Sequence, residues 1–134
     1  MLRGSCLCGA IRYEVDGDLG PMVCCHCSMC RKAQGTAFAA NAPIETRNFR
    51  IVSGAETLRA YASTPGKWRC FCSTCGSPIF SKRDTLPGVI RLRIGTLDSR
   101  IAARPTAHIH VASKAEWYQI LDDVPQHPEF EPGR

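Results

Sequence analysis

The sequence predicts a mostly β protein that folds as a single domain. Several segments alternate hydrophobic and polar residues with the period of a strand, and Gly, Pro and Asn residues separate many of them. Short strands at this density are typical of all-β or mostly β folds, and helical patterns are few. With 134 residues, 44% of them hydrophobic and 22% charged, the chain is long enough to bury one core.

Two segments carry the strongest strand pattern. "AIRYEV" places Ile11, Tyr13 and Val15 on one face, and "VIRLRIG" at residues 89–95 repeats the alternation. We interpret the strands of this chain as antiparallel. Shorter strands are predicted at residues 36–40, 49–53, 57–61, 68–71, 79–81 and 108–111.

Helix signals are limited to two places. One short helix is predicted to begin near Ser28, a residue type that caps helix N-termini, and to end at Gly35. A second helical turn is predicted in "SKAEWYQI", where Ser113 and Glu116 have the spacing of a capping box. The end of the chain is rich in proline and acidic residues, so we predict a domain over residues 1–124 and an extended surface tail over residues 125–134.

Composition bounds the cellular setting and the partners. The N-terminal segment has no secretory signal pattern and no apolar run approaches the roughly 18 residues of a membrane span, so we expect a cytoplasmic protein without membrane contact. If seven cysteines bound two zinc ions as thiolates, the formal charge of +5 would fall to about +2. The basic residues are spread along the chain as a solvated surface, so no nucleic-acid partner is expected; they lie in pairs at Arg31 and Lys32, Lys67 and Arg69, Lys82 and Arg83, and Arg91 and Arg93.

The nine cysteines are the most informative feature of the sequence. Structural disulfides are not expected, because the predicted compartment is reducing and nine is an odd number. Two clusters contain the C-x-x-C step that gives one metal ion two sulfur ligands, and thiolate ligands favour zinc, with iron as the alternative. The three clusters are Cys6 with Cys8, Cys25 with Cys27 and Cys30, and Cys72 with Cys75, while Cys24 and Cys70 stand outside them.

Counting ligands suggests two metal sites of different kinds. Seven clustered cysteines divide into four and three, so one tetrahedral metal would have four protein ligands and the other an open fourth position. Cys25, Cys27 and Cys30 are close enough in sequence to bind one ion from a single turn, and a metal with three protein ligands can bind water or substrate at its fourth position. Either Cys24 or Cys70 could supply the fourth ligand of this site and so abolish catalysis. The closed structural site would join the N-terminal strand to the middle of the chain through Cys6, Cys8, Cys72 and Cys75.

Four segments in this order resemble one known family: "GSCLCGAIRYEV", "CHCSMCRKAQGTAFAA", "FCSTCGSPIFS" and "LRIGTLD". They are similar to the glutathione-dependent formaldehyde-activating enzymes, also called the Gfa or centromere-protein-V domain, and the similarity spans roughly residues 3–124. The resemblance implies a β-tent fold with two zinc ions. It also implies that Cys6, Cys8, Cys72 and Cys75 form the structural site and that Cys25, Cys27 and Cys30 form the catalytic one.

The activity implied by this resemblance is that of a zinc-dependent carbon–sulfur lyase. Its substrates would be thiol–aldehyde adducts such as S-hydroxymethylglutathione, formed from glutathione and formaldehyde, with the thiol at the fourth position of the second zinc. The alternative is a non-catalytic β module, held together by zinc, that binds a protein partner or chromatin. Three basic residues are candidates for binding the carboxylates of glutathione: Arg31, Lys32 and Lys67.

The histidines near the clusters are assigned other roles. His26 lies between two cysteine ligands, so its side chain is expected to point away from a metal held by both neighbours. His108 and His110 have the i, i+2 spacing of one strand face, and we interpret them as a hydrogen-bonded polar face rather than a metal site.

Overall fold

The computed structural model of the protein describes residues 1–133, which form ten strands and one α-helix. The small sheet contains β1 (Leu2–Ser5), β2 (Arg12–Val15) and β5 (Phe49–Ser53). The large sheet has the order β10-β3-β4-β9-β8-β7-β6. Its strands are β3 (Val23–Cys25), β4 (Ala39–Glu45), β6 (Leu58–Thr64), β7 (Lys67–Cys72), β8 (Pro78–Arg83), β9 (Val89–Arg93) and β10 (Ala107–Ile109), and the helix α1 is Ser28–Gln34.

The prediction of a mostly β, antiparallel fold is confirmed. All paired strands run antiparallel except β10 and β3, which are parallel. Hydrophobic periodicity reports which face of a strand is buried and says nothing about the direction of its neighbour, so this one pair could not be foreseen.

The core lies between the small sheet and one face of the large sheet. Aromatic contacts cross this interface: the ring centroids of Tyr13 on β2 and Phe49 on β5 are 5.2 Å apart, and those of Phe49 and Phe80 on β8 are also 5.2 Å apart. Ile90 and Leu92 of β9 are buried in the same cluster. Because side chains alternate along a strand, the remaining residues of β7, β8 and β9 project from the opposite face of the large sheet.

Most predicted strands are present with shifted ends. The segment at 49–53 coincides with β5, and the segments at 57–61, 68–71 and 79–81 correspond to the longer strands β6, β7 and β8. The segment predicted at 36–40 begins only at Ala39, since residues 36–38 connect α1 to β4. Two strands, β1 and β3, were not predicted, because they are four and three residues long and lack a clear alternating pattern.

The helix near Ser28 is confirmed, with a different N-cap. Cys27 precedes the helix in an extended conformation, and its Sγ accepts a hydrogen bond from the backbone N–H of Cys30 at 3.3 Å. Gly35 ends the helix in the left-handed conformation, as predicted. The turn predicted in "SKAEWYQI" is present as a single hydrogen-bonded turn, in which the N–H of Tyr118 donates to the carbonyl of Ala115 at 3.2 Å. The predicted capping role of Ser113 is wrong, because Ser113 ends a short 3-10 turn (Val111–Ser113).

The segment after residue 124 is packed against the β10 edge of the large sheet. The N–H of His108 donates to the carbonyl of Pro125 at 2.8 Å, and the N–H of His127 donates back to the carbonyl of His108 at 2.8 Å. The ring of Phe130 then contacts the ring of His110, with centroids 4.6 Å apart. The tail therefore adds backbone pairing to β10. No helix within residues 1–133 has the length and hydrophobicity needed to cross a membrane.

Candidate metal centres

The first candidate centre is a cluster of four cysteines between the two halves of the chain. Their four Sγ atoms lie within 4.8 Å of one another, with 3.6 Å between Cys6 and Cys8 and 3.9 Å between Cys8 and Cys72. A tetrahedral zinc ion with Zn–S bonds of about 2.3 Å would separate its sulfurs by about 3.8 Å. The observed spacings therefore fit a metal site and are far longer than a disulfide bond. The fourth member is Cys75.

Two similar turns present these sulfurs. Gly9 and Gly76 each follow a cysteine pair in the left-handed conformation, with φ of 79° and 80°. The N–H of Gly9 donates to the carbonyl of Cys6, and the N–H of Gly76 donates to the carbonyl of Cys72. Each turn thus brings two sulfurs to one side, which a residue with a Cβ would do only with strain.

Hydrogen bonds stabilise the thiolate form of one member of this cluster, Cys75. The side chain and backbone of Ser77, followed by the backbone of Cys8, lower the pKa of Cys75 to about 5. The N–H of Ile11 donates to the Sγ of Cys6 at 3.2 Å. Because cysteine binds metal as thiolate, the lowered pKa of Cys75 favours its ligand form.

The second candidate centre contains Cys25, Cys27 and Cys30. Cys25 ends β3, Cys27 caps α1 and Cys30 lies in its first turn, so the strand-to-helix connection brings their Sγ atoms within 4.8 Å of one another. Within residues 1–133 no His, Cys, Asp or Glu joins them as a fourth member. Cys24 and Cys70 are buried outside both clusters, and burial raises the pKa of Cys24 to about 11.

The environment of this three-cysteine cluster is cationic. The pKa of Cys30 is held far below its ordinary value by the neighbouring sulfurs of Cys25 and Cys27 and by the nearby guanidinium groups. One of these belongs to Arg69, whose Nη1 lies 3.7 Å from the Sγ of Cys30. The other belongs to Arg93, which is only 4% exposed.

A buried chain of polar side chains lies behind the cluster. The Nε2 of His26 is 2.8 Å from the Nδ1 of His108, and the Nε2 of His108 is 3.0 Å from a carboxylate oxygen of Asp122. The His26 ring also packs near Phe38 and Tyr118, with centroids 5.3 Å and 6.1 Å away. As expected, His26 is not part of the sulfur cluster. Burial, together with the charge of His108, lowers the pKa of His26 to about 4, so His26 is neutral at pH 7.

The expectation that His108 and His110 share one strand face is wrong. His110 has a φ of 55°, which takes it out of β10. Its side chain lines a cavity beside Cys25, Cys27 and Cys30, whereas that of His108 faces His26.

This cavity has a volume of about 370 Å³ and combines the three sulfurs with basic side chains. No Asp or Glu of residues 1–133 lines it. The basic residues come from the face of β7, β8 and β9 that points away from the core, and they are Lys67, Arg69, Arg83, Arg91 and Arg93. A second cavity of about 520 Å³ shares part of this lining and extends to Glu131 of the tail.

The interpretation of these basic residues as a dispersed, solvated surface is wrong. In the sheet Lys67 lies opposite Arg83, so pairs far apart in sequence become neighbours. On β7 and β9 the basic residues alternate with apolar ones, and this period-2 spacing was the signal that could have revealed a common face. Arg31 and Lys32 lie on α1 outside the cavity, so only Lys67 of the three predicted anion-binding residues lines it.

Comparisons with known proteins agree with this arrangement. A family model described as "Glutathione-dependent formaldehyde-activating enzyme" matches residues 1–113. A Halomonas elongata protein named "Putative glutathione-dependent formaldehyde-activating enzyme" is 32% identical over 129 residues, covering 90% of this chain and 81% of the relative. A Schizosaccharomyces pombe protein named as an uncharacterized lyase is 32% identical over 78 residues, covering 58% of this chain and 55% of its own length.

A solved structure supports the fold. The crystal structure of a Rhodobacter sphaeroides protein superimposes with a TM-score of 0.63 at 26% sequence identity, covering 92% of this chain and 98% of that one. Together with the family match over most of the chain, these similarities show that the protein belongs to the family of glutathione-dependent formaldehyde-activating enzymes.

Proposed function

We propose that this protein is a zinc-dependent carbon–sulfur lyase that acts on thiol–aldehyde adducts, with S-hydroxymethylglutathione as its substrate. The observation that carries the proposal is the opening of a three-cysteine cluster into a cavity lined by five cationic side chains. The family membership and the names of the relatives support a lyase of this type.

The two clusters are proposed to have separate roles. The four-cysteine cluster would hold a structural zinc. The three-cysteine cluster would hold a second zinc whose fourth position no protein atom takes. Zinc in such a site lowers the pKa of an incoming thiol and orients it. The structural set is Cys6, Cys8, Cys72 and Cys75, and the catalytic set is Cys25, Cys27 and Cys30.

The side chains of the cavity would bind and orient the thiol. Glutathione carries two carboxylates, and guanidinium groups bind carboxylates through paired, charge-assisted hydrogen bonds. In the forward direction, the thiol sulfur forms a bond to the carbonyl carbon of formaldehyde and the thiol proton ends on the new hydroxyl oxygen. Lyase activity reverses both changes. By binding the carboxylates, these side chains would place the thiol sulfur at the cysteine cluster and accelerate the reaction in either direction through proximity.

Further proposals concern the setting of this reaction. We propose small-molecule partners rather than a nucleic acid, since the clustered cations line a cavity that also contains the sulfurs. We propose a cytoplasmic location because all nine cysteines are free, which a reducing compartment maintains. The functional domain is proposed to be residues 1–124, with residues 125–134 as an appended tail.

The test combines metal analysis with an exchange assay. We expect the wild-type protein to contain about two zinc ions per chain and to accelerate the exchange between glutathione and formaldehyde seen by NMR. Cys27→Ser should lose about one zinc ion and the catalysed exchange while staying folded, because a serine oxygen can still cap α1 at the position where the Cys27 Sγ accepts its hydrogen bond.

Cys24→Ala is the matched control, since Cys24 is a neighbouring buried cysteine outside both clusters. It should keep two zinc ions and full activity. A wild-type protein that binds two zinc ions but never exceeds the spontaneous rate would refute the lyase proposal and favour a binding module. If Cys27→Ser unfolds the chain, or if Cys24→Ala also loses a zinc ion, the division of ligands is wrong.

A further inference from the structure

Ser81 is a buried polar residue at the centre of the cationic face. Its side chain is 1% exposed, and its Oγ has no hydrogen-bond partner among the described residues. It lines both the cavity of the three-cysteine cluster and the adjoining cavity. A buried hydroxyl without a partner lowers stability, so such a group in a cavity indicates a position where a ligand completes the hydrogen bonding.

Two arginines flank this serine on the neighbouring strands. Ser81 lies directly opposite Arg69 of β7 on one side and opposite Arg91 of β9 on the other. Directly opposite residues project from the same face, with Cβ atoms about 5 Å apart. The Nε of Arg69 is also buried without a hydrogen-bond partner, although its Nη1 contacts Cys30. The Ser81 hydroxyl and the two guanidinium groups beside it therefore form a set of hydrogen-bond donors for one anionic group.

The next row of the same face repeats this chemistry. Lys67 lies opposite Arg83, two residues along each strand from Arg69 and Ser81. Like charges this close repel one another, and burial together with the charges of Arg83, Arg93 and Arg69 lowers the pKa of Lys67 to about 8. An anionic ligand would relieve this repulsion. The cationic residues thus extend away from the sulfurs, along the direction that the non-reacting part of a bound thiol would follow.

We propose that Ser81, Arg69 and Arg91 form an oxyanion subsite that binds a carboxylate or phosphate group on the non-reacting part of the thiol substrate. The identity of the ligand as a thiol rests on the proposed function, whereas the anion subsite follows from the register and from the unpaired Oγ of Ser81 and Nε of Arg69. Ser81 donates its hydroxyl hydrogen to the anionic oxygen, and the guanidinium groups neutralise its charge. This subsite explains why a hydroxyl stands at a buried position of β8 where an apolar residue would be more stable.

The test measures binding without turnover. The zinc-loaded protein is titrated calorimetrically at pH 7 and low salt with S-methylglutathione, which has both carboxylates and no ionisable sulfur. Its dimethyl ester, which lacks both anionic groups, and inorganic phosphate are titrated in parallel. We expect Ser81→Ala to weaken binding of the anionic ligand about tenfold, as expected for a lost hydrogen bond to a charged group, and to leave the weak binding of the ester unchanged.

Ser63→Ala is the matched control. The Oγ of Ser63 is also buried without a partner, but Ser63 lines neither cavity. Both variants should have an unchanged or raised melting temperature, while only Ser81→Ala loses affinity. A Ser81-dependent response to S-methylglutathione assigns a carboxylate to the subsite, and a response to phosphate alone assigns a phosphate.

Equal affinities in wild type and Ser81→Ala for both anions would overturn the subsite, even if the protein catalyses exchange. Ser81-dependent binding by a protein that fails the exchange assay would instead refute the proposed lyase reaction and leave the subsite standing.

Discussion

The lowered pKa of Lys67 predicts that anion binding weakens between pH 7 and pH 9. The charges that act most strongly on this side chain are those of Arg83, Arg93 and Arg69, which lower its pKa, and that of the Cys30 sulfur, which raises it. Arg91 and Glu131 line the adjoining cavity together with Lys67. Burial and the three arginines together lower the pKa of Lys67 to about 8. An anion binds the protonated amine, so affinity is fully present below this pKa and is lost as the pH rises through it.

The magnitude follows from the protonated fraction. With a pKa of about 8, roughly 90% of Lys67 is protonated at pH 7 and roughly 10% at pH 9. If the bound anion raises the pKa by one unit or more, the affinity for S-methylglutathione should fall about five- to tenfold across this interval. Calorimetric titration at constant ionic strength measures this change.

Two variants at this position separate the amine from other titrating groups. Lys67→Arg keeps its charge throughout, so its affinity should change little between pH 7 and pH 9. Lys67→Met should bind weakly at both pH values. If wild-type affinity does not change with pH, or if Lys67→Arg loses affinity as steeply as wild type, Lys67 is not the titrating group that holds the anion.

Two further predictions concern stability. Cys72→Ser should leave the chain unfolded or aggregated by circular dichroism, whereas Cys27→Ser stays folded, because the four-cysteine cluster, unlike the three-cysteine cluster, joins the N-terminal turn to the end of β7. Equal loss of structure in both variants would contradict separate structural and catalytic roles. His108→Ala should reduce the free energy of unfolding by about 3 kcal/mol in urea titrations, because it opens a cavity and removes the partner of the fully buried His26. Asp122→Asn should reduce the free energy of unfolding by less, since Asp122 is half exposed and an amide oxygen can still accept the hydrogen bond from His108. A reduction as large as that of His108→Ala would show that this hydrogen-bonded chain depends on the carboxylate charge.

The sequence was sufficient to predict features that depend on local spacing. The end of α1 at Gly35, the cluster of Cys25, Cys27 and Cys30, and the orientation of His26 away from the sulfurs follow from residues a few positions apart. The four-cysteine cluster joins distant parts of the chain and was predicted by counting ligands. Sulfur instead of a serine hydroxyl caps the helix, because Cys27 stands one position before Ser28 in the same extended connection.

Features that depend on strand register could not be predicted in the same way. Whether Lys67 meets Arg83 is decided by hairpin geometry and by the bulge between Cys70 and Phe71, none of which periodicity reports. The docking of the tail on β10 likewise depends on backbone hydrogen bonds, which do not require particular side chains.

That docking affects how the binding site can diverge within the family. The rim of the cavity includes Phe130, and the adjoining cavity includes Glu131, both in a segment held to β10 mainly by its main chain. Main-chain hydrogen bonds tolerate most substitutions, so the residues at the rim can change without disturbing either cysteine cluster. Substitutions at Phe130 and Glu131 can therefore alter which ligands enter while both cysteine clusters and the core remain unchanged.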